Sequence, residues 1–136
     1  MFRAGGKEFD VERFLAESKL TPFKSWKIGE THGRGNKTHE FNGFTLIASN
    51  ADFSEVEKQL AESALFLNEH RDALTLLAKF AGVEFAILDF GIHFGSDLAC
   101  SSIVFPPELA KAAGLLNVGL EATFYLVDEK PQHADE

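Results

Sequence analysis

The chain has 136 residues, of which 45% are hydrophobic and 25% charged, proportions that allow a buried core without disulfide or metal support. Thirteen Lys and Arg stand against 21 Asp and Glu, a net charge of −8, which argues against a general nucleic-acid surface or an anionic membrane as partner. No window approaches the roughly 18 apolar residues of a spanning helix, the first residues lack the apolar stretch of a secretory signal, and Cys100 is the only cysteine. The expectation is one cytoplasmic domain over residues 1–136, with no disulfide, metal or cofactor.

Phe2 to Gly5 reads as a short strand. Asp10 is placed to cap a helix whose Val11, Phe14, Leu15 and Leu20 share one face, and Thr21-Pro22 ends it. Phe23 to Ile28 is extended, and Gly29 to Lys37, with three glycines, is a loop. Thr38 to Ser49 reads as a strand with a weak point at Asn42-Gly43, a dipeptide also suited to a tight hairpin turn. Asp52-Phe53-Ser54-Glu55 has the spacing of a capping box, which predicts a helix start. The apolar pattern then runs to Phe80, too long for one ordinary helix, so a break is expected near Asn68. Val83 to Phe94 is apolar on both faces at its start, as a central strand would be. Gly95-Ser96-Asp97 predicts a turn into a second strand at about Ala99 to Phe105, forming a hairpin. Pro106-Pro107 opens a helix that Gly114 closes. Val118 to Val127 alternates, with Val118, Leu120, Ala122, Phe124 and Leu126 on one face, and the acidic residues from about 128 read as a frayed tail.

This order predicts an α+β fold with helices packed on a mainly antiparallel sheet. Phe2 to Ile28 and Ile103 to Val127 each read strand, short helix, strand, and two such halves suit a ferredoxin-like pseudo-repeat.

Catalytic signals are sparse. His32 and His39 flank Gly33 to Lys37 but lack a thiolate or a helical histidine pair, so they read as loop histidines without metal. Asp89 and His93 share one side of a strand, yet four residues separate their Cα atoms by roughly 13 Å, too far for a dyad unless Gly91 allows a bulge. Neither a nucleophile elbow nor a phosphate loop is present, and the balance leans away from an enzyme. Charge is distributed unevenly: residues 1–40 hold eight Lys and Arg and six Asp and Glu, whereas residues 41–136 hold five and fifteen. The positive excess gathers around Trp26, the only tryptophan, and the candidate ligand-binding residues are Lys24, Trp26, Lys27, Arg34 and His39. An aromatic beside cations suits a protein anchor, a carboxylate or an exposed nucleic-acid base.

The segments Phe2-Arg3-Ala4-Gly5-Gly6 and Ser25-Trp26-Lys27-Ile28-Gly29, followed by the Pro107-Glu108-Leu109 to Leu120 segment, resemble the small bacterial proteins of the domain of unknown function 4279 family. The resemblance covers nearly the whole chain and implies a compact α+β fold. It departs at His39-Glu40-Phe41, where the family has an arginine-containing stretch leading to a tryptophan, so ligand chemistry resting on that second aromatic is not carried over. The leading functional expectation is a small acidic protein-binding module, such as a bacterial immunity protein acting by occlusion. The alternative is a sensor or enzyme for an anionic small molecule, with a pocket around Trp26 and the glycine-rich loop. Fourteen phenylalanines also leave room for a homo-oligomer.

Overall fold

The computed structural model describes residues 1–97 and 99–127, so the tail read as frayed from 128 lies outside the described residues. In chain order these residues form β1 (Phe2–Gly6), α1 (Val11–Ser18), β2 (Lys24–Trp26), β3 (Asn42–Leu46), α2 (Val56–Glu69), α3 (Arg71–Lys79), β4 (Phe85–Gly95), α4 (Pro107–Leu115) and β5 (Gly119–Val127). The strands make one sheet in the order β2-β3-β1-β4-β5. Every neighbouring pair is antiparallel except β4 and β5, which run parallel. The fold is therefore α+β on a mixed, mostly antiparallel sheet.

Pleating sends alternate side chains to opposite faces of this sheet. One face is apolar: Phe2 stands opposite Leu46 on β3 and Leu88 on β4, and Ala4 opposite Phe44 and Ala86. All four helices add to the same buried cluster, through Phe14, Leu60, Phe66, Leu67, Leu74, Leu77, Leu109 and Ala113. Phe14 stacks on Phe44 with centroids 5.5 Å apart, and Phe2 tilts on Phe66 at 5.8 Å. Burying each such ring contributes about 1.5–3 kcal/mol. The opposite face carries no helix among the described residues. Across it, from one edge to the other, lie Lys24 and Trp26, Thr45, Arg3, Ile87 and Asp89, and Glu121 and Thr123.

The ferredoxin-like arrangement is present, but its halves differ from those expected. β1-α1-β2 encloses β3, and β3-α2-α3-β4 encloses β1, which is the split βαβ pattern. The segment 103–127 is instead an appendage that adds β5 beside β4. The echo between 2–28 and 103–127 matched element lengths, which do not encode a strand's place in the sheet.

The expected hairpin after Gly95 does not form, and Ala99 to Phe105 has no strand. β4 is paired with β5 over Ile87–Gly95 on one edge and with β1 over Phe85–Leu88 on the other, and past Leu88 that second edge is taken by Met1, Phe53 and the Gln59 amide rather than by the segment 99–105. Its alternation comes from lying over the core: Ile103 and Phe105 pack inward while Val104 is 79% exposed. The parallel β4–β5 pair needs a crossover, and α4 supplies it.

Smaller differences concern element ends. α1 stops at Ser18, because Lys19 adopts φ 61° and its N–H closes on the Leu15 carbonyl; Asp10 caps its start as expected, accepting from the Arg13 N–H at 3.1 Å. Asn42-Gly43 lies within β3 rather than at a hairpin turn. Half of the predicted capping box forms, with the Asp52 N–H donating to Glu55 Oε1 at 3.1 Å. The segment nonetheless closes as a turn, Glu55 N–H to Asp52 carbonyl at 2.9 Å, and α2 begins at Val56. The α2–α3 break falls at His70, two residues after Asn68, and α4 runs one residue past Gly114.

Candidate functional site

The helix-free face of the sheet is where polar and aromatic groups converge. Residues 29–39 fold back on themselves as a hairpin flap at the β2–β3 end. Gly29 N–H donates to the His39 carbonyl at 3.0 Å, His39 N–H to the Glu30 carbonyl at 2.9 Å, and His32 N–H to the Lys37 carbonyl at 2.8 Å. Thr31 and Thr38 bridge the two arms. Gly33 and Gly35, at φ 68° and 100°, make the turn at the tip, a backbone conformation that glycine adopts without strain. Asn42 ties the base down: its Oδ1 accepts from the Ile28 N–H at 2.8 Å and its amide donates to the Lys7 carbonyl.

Trp26 is the floor on which the flap rests. It pairs across strands with Gly43, and the missing side chain there lets the indole lie flat on β3. His39 stacks on the other face of the indole at 4.6 Å and 13°, and His32 lies 4.6 Å from His39. Phe41 meets the indole edge-on and stands against Phe85 at 5.0 Å and 90°.

Between flap and sheet lies a hollow of about 1040 Å³, whose walls include Arg3, Lys24, Trp26, His32, Lys37, His39 and Thr45. Two polar atoms of wall residues, Trp26 Nε1 and Thr45 Oγ1, are enclosed by protein and have no hydrogen-bond partner among the described residues. Such a group costs about 1–3 kcal/mol when left unmatched. His39 titrates below the usual imidazole range, first because burial disfavours its charge, then because His32 repels it; Glu30 acts in the opposite direction.

Beside the hollow, Arg3 links three strands. Its Nη1 lies 3.2 Å from Asp89 Oδ2 and its Nη2 lies 2.6 Å from Glu121 Oε1, while Thr123 Oγ1 donates to Asp89 Oδ1 at 2.7 Å. Burial works against the Arg3 charge, but Glu121 and then Asp89 hold its pKa above the ordinary guanidinium value.

The candidate residues named from sequence divide into two groups. Lys24, Trp26 and His39 meet in the hollow. Lys27 does not: strand alternation turns it to the other side, where its Nζ is 2.9 Å from Glu12 Oε1 and that carboxylate keeps it charged. Arg34 sits at the flap tip and does not line the hollow. Arg3, His32, Lys37 and Thr45 were absent from the candidate set. A lone charge inside Phe2-Arg3-Ala4-Gly5-Gly6 was the available signal for Arg3; nothing local signals Thr45, which belongs to the site through its pairing with Lys24 and Arg3.

The Asp89–His93 pair makes no dyad. β4 runs in unbroken register with β5 through both residues, Asp89 is engaged by Arg3 and Thr123, and His93 packs edge-on against Phe53. Gly91 serves the Phe53 ring, which lies where a Cβ would stand. Among the described residues no group of three His, Cys, Asp or Glu side chains is placed to hold a metal ion, and no helix is long and apolar enough to cross a membrane. The chain matches no protein-family model, no curated protein and no solved structure.

Proposed function

We propose that this chain is a small-molecule-binding module that takes a ligand with an acid group into the hollow beneath the flap. The observation that carries the reading is a hollow of about 1040 Å³ that presents Lys24, Lys37, His32 and His39 around the indole of Trp26. An ammonium group only donates and an imidazole offers at least one N–H, so these side chains suit an acceptor such as a carboxylate or phosphate. His39 stacks on the indole and His32 lies tilted against His39, an arrangement for holding rather than for activating a nucleophile.

Trp26 is the only tryptophan, so its fluorescence reports on this site alone. A panel of small carboxylates, sulfonates and phosphate esters is expected to yield at least one saturable change. Lys24→Ala with Lys37→Ala should weaken it roughly tenfold or more, in line with the loss of charge-assisted contacts. Binding undiminished in that variant, or a flat response across the panel at every pH from 5 to 8, would exclude the reading.

A second reading, the acidic protein-binding module, has its own support. Phe124 and Leu126 continue the apolar face of β5 yet are 51% and 69% exposed. Apolar surface of this kind commonly marks a protein contact. A partner retained by a Phe124→Ser, Leu126→Ser variant with unchanged affinity would remove that support.

A further inference from the structure

The charges around the hollow nearly cancel until its histidines take up protons. Lys24 and Lys37 are opposed there by Glu30 and Glu40, and Arg3 is matched by Asp89 and Glu121. His39 is sandwiched between the indole of Trp26 and the ring of His32, with Phe41 beside the indole. No carboxylate of the described residues makes an ion pair with either histidine. The hollow therefore has little net attraction for an anion while both imidazoles are neutral and gains two positive charges when both are protonated.

We propose that the hollow binds its acid ligand together with protons on the His39–His32 pair, so that it loads under mildly acidic conditions and releases as the pH rises above neutrality. This rests on the reading of the hollow as an anion site. Two adjacent imidazolium rings repel each other when the site is empty, and burial adds to the cost for His39. An anion between them and the lysines removes that repulsion, so binding raises the protonation of the pair. By linkage, proton uptake on binding makes affinity fall as pH rises. The anion must carry enough charge to match two protonated rings, which favours a dianionic group, such as a phosphate monoester, over a single carboxylate.

Sulfate is the appropriate probe, because it stays dianionic across the relevant range and any pH dependence then belongs to the protein. Histidine ring resonances are followed by NMR against pH in sodium sulfate and in sodium chloride of equal ionic strength, with His70 and His93, which lie outside the hollow, as internal controls. The expected result is an upward shift in the titration of the two flap histidines in sulfate alone. Sulfate affinity, read from Trp26 fluorescence, should fall with rising pH by about tenfold per pH unit for each proton taken up. His39→Gln with His32→Gln should flatten that dependence. Saturable sulfate binding with unshifted histidines and pH-independent affinity overturns the proton coupling while leaving the anion site standing. Absence of any response to sulfate between pH 5 and 8 overturns both.

Discussion

A methyl group on Gly43 would lie 2.7 Å from the Ala4 carbonyl oxygen and 2.8 Å from Trp26 Cζ2, closer than carbon atoms approach in a packed interior. The backbone oxygen belongs to the neighbouring strand and has little freedom, so the indole must move. Gly43→Ala is expected to lift Trp26 from the sheet, shift its fluorescence to longer wavelength, and lower stability by about 1–3 kcal/mol in a urea melt. An unchanged emission maximum would show that the indole does not depend on the gap. The glycine itself was visible in the sequence as a weak point in a strand. Its purpose was not, because the residue that needs the space is 17 positions earlier and reaches it only through the β2–β3 register.

At the scale of elements, β4 is eleven residues long and β1 only five, so the ladder between them ends near Leu88. Past that point the edge of β4 is completed by irregular partners. Asp89 N–H donates to the Met1 carbonyl at 2.9 Å, His93 N–H donates to the Phe53 carbonyl at 3.1 Å, and the Gly91 carbonyl accepts from Gln59 Nε2 at 2.7 Å. Gln59 is only 5% exposed and also donates to the Asp52 carbonyl at 3.2 Å. A buried amide on an apolar helix face is thus explained by a strand edge that lacks a neighbour. Gln59→Leu keeps the bulk but leaves a buried carbonyl unpaired, and should cost about 1–3 kcal/mol by chemical denaturation. A loss below a few tenths would mean that the edge finds another donor. The sequence placed both helices and this strand, but the capping-box residues were pulled into this edge, which is why α2 starts at Val56 rather than near Asp52.

For the whole molecule, Arg3 joins the inner strand β1 to β4 and to the appended β5 through Asp89 and Glu121. These groups are partly exposed, with side-chain exposures of 31%, 19% and 44%, so solvent screening limits the contribution to about 1 kcal/mol. Arg3→Gln is expected to speed amide exchange along β5 while leaving β3 unaffected; equal protection in both strands would show that β5 is held by its backbone and apolar contacts alone. The amino-acid sequence by itself determined the α+β class, most of the helices and strands, the cap at Asp10 and the grouping of cations near Trp26, because periodicity and capping act over a few residues. The tertiary structure alone decided that β5 runs parallel beside β4, that Ala99 to Phe105 makes no strand, that Lys27 turns away to Glu12, and that His39 closes over Trp26 beside Thr45. Each of these depends on which strand edge is already occupied and which face a side chain is left on. That competition is between segments far apart in the chain, and local pattern carries no record of its outcome.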